Sequence, residues 1–309
     1  MSLQEPGRKS GQNGSHQAAH ADAPPKPDRP ALFNQSLEKG LDVLQAFGAE
    51  FPTMNLPEIA EAAGITKSAA QRLAFTLESL GYLRKDPQTK RFSLAPKSIG
   101  FAYRYLVASP LVERANPYLL ELNQQTRETV NISEPDGYDM VYIARFPSPI
   151  HSIVHMPIGR RLPMFCTASG RAYLSALPDD EARAILEASD RVKFTPTTRT
   201  EVGKLMGLLD EARQNGYAWA NQEYYRGDLN LSVVLLDARG NPTGAINVSA
   251  ASSRWTLADM RDQMAPLLIE AARKVSTSPP TRSALAPFHR GYGIPENPPA
   301  KTPRTRKQS

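Results

Sequence analysis

The stretch GITKSAAQRLAFTLESLGYLRKDPQTKRFSL, residues 64–94, constrains this chain more than any other. Gly64 ends one element, and Thr66 is placed to cap a helix, its hydroxyl accepting from a first-turn amide. Gly81 stops that helix, and YLRKDPQTKRFSL reads as strand, turn and returning strand. At about 100° per residue, Ala69, Leu73, Leu77 and Leu80 share one face and are expected to be buried. Lys67, Ser68, Gln71, Arg72 and Phe75 then lie opposite, and Arg84, Lys85, Lys90 and Arg91 follow at once in the hairpin.

Upstream, SLEKGLDVLQAFG repeats Leu37, Leu41, Val43, Leu44 and Phe47 near the helical period, with Gly48 as a stop. LPEIAEAAG makes a second short helix through Leu56, Ile59, Ala60 and Ala63. Two short helices, a longer third one and a basic hairpin, spanning residues 34–94, form a winged helix-turn-helix. The second helix braces the third so that it enters a major groove as a rigid rod. Gln71 is suited to adenine and Arg72 to guanine or phosphate. Arg84, Lys85, Lys90 and Arg91 suit phosphates or the minor groove. The plainer reading of the same residues is a solvated helix beside a charged hairpin. The order of all four elements favours double-stranded DNA as partner.

Net charge alone does not carry that argument. The excess of +6 sits in the ends: residues 1–33 hold four basic and three acidic groups, and 279–309 hold six and one. The body between them has 27 of each sign, so a nucleic-acid reading rests on local placement. Residues 1–33 and 278–309, rich in Pro, Ala, Gly and Ser without periodicity, read as a disordered leader and a disordered basic tail. No run approaches the ~20 apolar residues of a membrane helix, so no membrane partner is expected. The N-terminus lacks the apolar stretch of a secretory signal. A single cysteine, Cys166, allows no intrachain disulfide and fits a reducing cytoplasm.

After the hairpin, residues 95–107 read as a linker helix interrupted at Ser109-Pro110, and 108–277 as a second domain. VNISEPDG with YDMVYIARF reads as a hairpin, HSIVHMPIG as a further strand, and LNLSVVLLDARGNPTGAINVSAA as a hairpin across residues 237–242. Helices interleave with them, and the last is expected to run unbroken from Thr256 to about Val275. Hairpins imply antiparallel pairing, so the class is α+β.

The segments SLEKGLDVLQAF, LPEIAEAAGITKSAAQRLAFTLESLGYL, RLPMFCTASGRAYLSAL, Gln222-Glu223 with Gly227, and GAINVS resemble the IclR family of transcriptional regulators over about residues 36–275. RLPMFCTASGRAYLSAL is most similar to the branch that senses aromatic acids of the protocatechuate and β-ketoadipate routes. The resemblance implies an N-terminal winged helix, a linker helix and a GAF-like antiparallel-sheet domain that binds a small organic acid. It also implies a homodimer or homotetramer reading an operator of two half-sites. By the same resemblance Val154, Met156, Ala168, Ser169, Asn230, Asn247 and Ser249 fall at the effector site. The helix start near Ser169–Gly170 would offer amides to a carboxylate. Asn247 and Ser249, two apart on a strand, project from one face. Arg145, Arg160 and Arg171 are candidate carboxylate clamps, although an exposed surface arginine is the commoner reading of each. The parity of His151 and His155 points them away from Val154 and Met156.

Catalysis is not expected. Cys166 with His151 or His155 lacks an orienting third group, and TASGR lacks the first glycine of a nucleophile elbow. The five histidines offer no close metal-ligand cluster, and no cofactor is implied. Two other functions remain open: a winged-helix regulator of a non-aromatic keto acid, and a small-molecule signalling module whose helix–hairpin unit binds protein.

Overall fold

The computed structural model describes residues 30–150 and 156–277. The leader and basic tail, together with Val154, His151 and His155, lie outside the described residues. The chain divides into two compact units at Ser98/Ile99.

In the first unit, α1 (Gln35–Gln45), α2 (Leu56–Ala62) and α3 (Lys67–Ser79) precede a two-stranded antiparallel hairpin, β1 (Leu83–Lys85) and β2 (Phe92–Leu94). Each helix starts on a side-chain cap. Asn34 accepts from Ser36 and Leu37 amides, Asn55 and Glu58 form a reciprocal capping box, and Thr66 accepts from the Ala69 amide at 3.2 Å. Val43, Met54, Ile59, Ala70, Ala74, Leu77, Leu83 and Phe92 form one core, so the hairpin and α3 are fixed to the same apolar cluster.

The burial of α3 is rotated from the expected face. Ala70, Ala74 and Leu77 are buried, Ala69 and Leu73 are half-buried, and Leu80 is 52% exposed. Small alanines let the neighbouring helices approach closely, while Leu73 rests over Gly40 of α1. Leu80 sits where the helix ends and the chain swings away at Gly81, φ +80°. On α1 the inward side is Val43, joined by Phe47 just past the helix end, whereas Leu37 and Leu41 are exposed.

The second unit opens with α4 (Ile99–Ala108) and α5 (Pro110–Thr126), separated at Ser109, whose hydroxyl caps α5. Its centre is a six-stranded antiparallel sheet in the order β5-β4-β3-β8-β7-β6. The strands are β3 (Thr129–Asp136), β4 (Asp139–Phe146), β5 (Arg161–Pro163), β6 (Ala218–Asn221), β7 (Asp228–Leu236) and β8 (Pro242–Ala251). One face, through Leu229, Leu231, Val233, Ile246 and Val248, packs against α5 and the last helices, α9 (Leu257–Gln263) and α10 (Ala265–Thr277). The other packs against α6 (Ala168–Ser175), α7 (Asp179–Ala188) and α8 (Val202–Asn215) through Met140, Ala218 and Ala245.

The expected single last helix is two. Pro266, in the first turn of α10, has no amide to donate and restricts Ala265, so the helix breaks at Met264.

Candidate DNA-reading face and sensor cavity

In the first unit the caps and the shared core hold α3 with a fixed side outward. Lys67, Ser68, Gln71 and Arg72 are all exposed, as is the capping Thr66, and Phe75 beside them is 69% exposed. The hairpin is rigidified locally. Asp86 accepts from the Gln88 and Thr89 amides, which holds its carboxyl below the usual range, and Lys90 takes the left-handed turn conformation at φ +59°. Arg84 is exposed and donates across the strand pair to Ser93 at 3.0 Å, and the Lys85 ammonium lies 5.2 Å from the Phe92 ring centre. Lys67, Arg72, Arg84, Lys85 and Lys90 thus leave cationic heads at the surface on a firm base.

Arg91 differs from the other basic residues of the hairpin. It donates to both Glu58 carboxylate oxygens, at 3.2 and 2.6 Å, and to the hydroxyl and carbonyl of Thr53. The Asn55 amide bond and the Arg91 guanidinium hold the Glu58 carboxyl below its usual range. The bidentate pair straps the hairpin to the start of α2.

In the second unit a cavity of about 20 Å³, room for little more than a water, opens between the sheet and the start of α6. Met156, Ala168, Ser169 and Asn230 all line it. Asn247 and Ser249 lie one layer behind: Asn247 donates to the Asn230 side-chain oxygen at 3.0 Å, and Ser249 donates to Asp228 at 2.6 Å. Tyr142, Tyr224 and Tyr225 add aromatic walls that the sequence reading missed, and Leu162 and Cys166 add apolar ones. Asp228 was missed too. Its signal was present, since an acid and an amide alternate with leucines in DLNL at the head of β7.

Asp228 has no salt-bridge partner among the described residues. It accepts from Ser249 and from the Asn230 side-chain amide, both at 2.6 Å, and burial raises its carboxyl to about 6 in spite of those bonds and the Arg145 charge. Burial also pushes the Cys166 thiol up to about 12, which makes it an inert wall rather than a nucleophile. At the head of α6, the Gly170 amide is used by Thr167, while the Ala168 and Ser169 amides show no acceptor among the described residues.

The three candidate clamps separate. Arg171, expected at the surface, is 1% exposed and bonds both Glu223 oxygens at 2.7 and 2.6 Å, with further bonds to the Phe165 and Trp219 carbonyls. Arg199 joins Glu223 at 2.6 Å. Arg171 therefore fixes the cavity wall that carries Glu223 and Tyr224, and its charge is already matched. Arg160 donates to the Tyr224 and Tyr225 hydroxyls at 3.2 and 3.4 Å. Arg145 donates to Asn131 at 3.0 Å on the same sheet face. Among the described residues, no cluster of three or more His, Cys, Asp or Glu could hold a metal, and no helix is long and apolar enough to cross a membrane.

Two family models match this chain: the IclR helix-turn-helix domain over residues 36–87, and the bacterial transcriptional regulator IclR C-terminal domain over 103–277. The Pca regulon regulatory protein of Pseudomonas putida is 33% identical over 242 residues, covering 78% of this chain and 82% of its own. The p-hydroxybenzoate hydroxylase transcriptional activator of Acinetobacter baylyi is 31% identical, covering 77% and 89%. Among solved structures, an IclR family transcriptional regulator from Brucella abortus superposes with a TM-score of 0.69 at 27% identity, covering 81% and 94%. An exposed cationic recognition helix on one unit, an enclosed cavity on the other and matches over both units agree: the chain belongs to the IclR family of DNA-binding transcriptional regulators and is not an enzyme.

Proposed function

We propose that this chain is a cytoplasmic, homo-oligomeric regulator whose hold on an operator is set by a small aromatic acid in the cavity of its second unit. The observation that carries the effector class is the lining of the cavity, which must widen from about 20 Å³ to admit a ring. Three tyrosines face the head of α6, where two amides and the positive end of a helix await an anion. One relative is by name the transcriptional activator of p-hydroxybenzoate hydroxylase and another the Pca regulon regulatory protein, which supports the same class.

Met156, Ala168, Ser169 and Asn230 form the contact layer of this reading, with Asn247 and Ser249 orienting it. On the DNA side, Thr66, Lys67, Ser68, Gln71 and Arg72 face the groove, Arg84, Lys85 and Lys90 take phosphates, and Arg91 holds the hairpin in position for them. Operator binding by two copies is expected, because one helix reads only a few base pairs. The effector changes DNA affinity only if it binds one arrangement of the DNA-reading units better than another.

A titration tests this. Fluorescence anisotropy of labelled DNA, selected by the full chain from a randomised pool, is followed while hydroxylated benzoates, muconates and short keto acids are added. A shift of fivefold or more in DNA affinity with an aromatic acid is expected. A shift produced by keto acids and by no aromatic acid would contradict the effector class.

A further inference from the structure

Asp228 sits in an environment that fits one kind of chemical group. It lines the cavity on the same strand face as Asn230, two residues on. One carboxylate oxygen accepts from Ser249 and the other from Asn230, which leaves further lone pairs on both and no proton to give while it is ionised. The carboxylate is half-buried, so a donor brought to it gains more than it would in open water. A cationic donor is disfavoured, because Arg145 already acts on Asp228 from β4 and Arg160 stands at the tyrosine rim. A neutral hydroxyl is the donor that suits.

The surroundings support the same conclusion. Asn247 donates to Asn230 and is 1% exposed, yet its own side-chain oxygen has no partner; on the paired strand the buried Asn131 side-chain nitrogen and the Ser133 hydroxyl also lack one among the described residues. Buried polar groups are nearly always satisfied, so these three, one layer behind Asp228 and Asn230, call for water beneath the cavity. At the cavity itself the sheet is polar at Asp228 and Asn230, where the walls, Tyr142, Tyr224 and Leu162, are aromatic and apolar.

We infer that Asp228, held by Ser249 and Asn230, reads a hydroxyl substituent on the effector, so that the cavity selects hydroxylated aromatic acids over the unsubstituted ring. This rests on the reading of the cavity as the effector site. A charge-assisted bond of this kind corresponds to a preference of about 10- to 100-fold.

Isothermal titration of the full chain with benzoate, 4-hydroxybenzoate, 3,4-dihydroxybenzoate and benzylamine provides the test, and the wild type alone answers the main question. At least one hydroxylated acid is expected to bind 10-fold or more tightly than benzoate. In Asp228→Ala that ratio is expected to fall below about 3, and Asp228→Asn, which keeps an acceptor oxygen, is expected to lie between. Benzoate binding as tightly as both hydroxylated acids would overturn the hydroxyl reading while leaving the aromatic-acid reading standing. An unchanged ratio in a folded Asp228→Ala would do the same. Preference for benzylamine would mark a cation site and overturn the inference. Binding of none of the four would remove the aromatic effector class and this inference with it.

Discussion

At the scale of single residues, two positions of the second unit tie burial and close packing to stability. Asp228 is the first. Its folded carboxyl is raised to about 6 by burial, against about 4 in an unfolded chain. The folded state therefore holds the proton over that window, and stability is lost as pH rises from about 4 through 6, then stays level. Ser249, Asn230 and Arg145 favour the ionised form, and Tyr142 is the other titratable group facing it. Asp228→Asn removes the loss. Thermal melts of variant and wild type should diverge between pH 4 and 6, with the variant gaining about 1–3 kcal/mol by pH 7. Curves that stay parallel across that range would contradict the shift. Gly170 is the second position. A Cβ there would lie 2.2 Å from the Met164 Cα and 2.3 Å from its carbonyl oxygen. Backbone cannot yield as a side chain does, so Gly170→Ala should lower stability by about 2 kcal/mol or more in chemical denaturation. The glycine of TASGR is thus explained by packing, since it lets α6 seat its N-terminus against the turn over Met164–Cys166.

At the scale of elements, what the sequence disclosed depended on whether the information was local. Caps, glycine stops and the hairpin turn act within a few residues, and Thr66, Gly81 and Asp86 each perform the local task their chemistry suggests. The outward side of α3 was legible for the same reason, because charged and amide side chains are costly to bury. Its inward side was less so: periodicity nominated Leu73 and Leu80, and the choice of Ala70 and Ala74 was made by the helices packed against them. The cavity shows the same division. Ala168 and Ser169 follow from the motif at the head of α6, but Tyr142, Tyr224 and Asp228 come together from β4, the loop before β7 and β7 itself. Sequence order says nothing of that convergence until the β4-β3-β8-β7 order is known. Arg171 misled because arginine is rarely buried, and here a fully buried Glu223 compensates it.

At the scale of the molecule, α4 bears on assembly. Ile99, Phe101, Tyr103, Tyr105 and Val107 are each more than half exposed, and no residue of the helix is buried. So much apolar surface on one short helix is unusual for a monomer, and a second copy of the chain is the partner that the proposed operator of two half-sites calls for. Replacing Ile99 and Val107 with Asp should shift sedimentation velocity toward monomer and weaken operator binding together. Retention of the assembly would place the interface elsewhere. The account as a whole depends on the outward side of α3 being what meets DNA. The most direct measurement is anisotropy of the full chain on its selected DNA and on a scrambled duplex, for wild type and for Gln71→Ala with Arg72→Ala. The account predicts a loss of 10-fold or more on the selected sequence, with affinity for scrambled DNA falling far less because Lys67, Arg84, Lys85 and Lys90 remain. Equal affinity of variant and wild type for the selected sequence would contradict it.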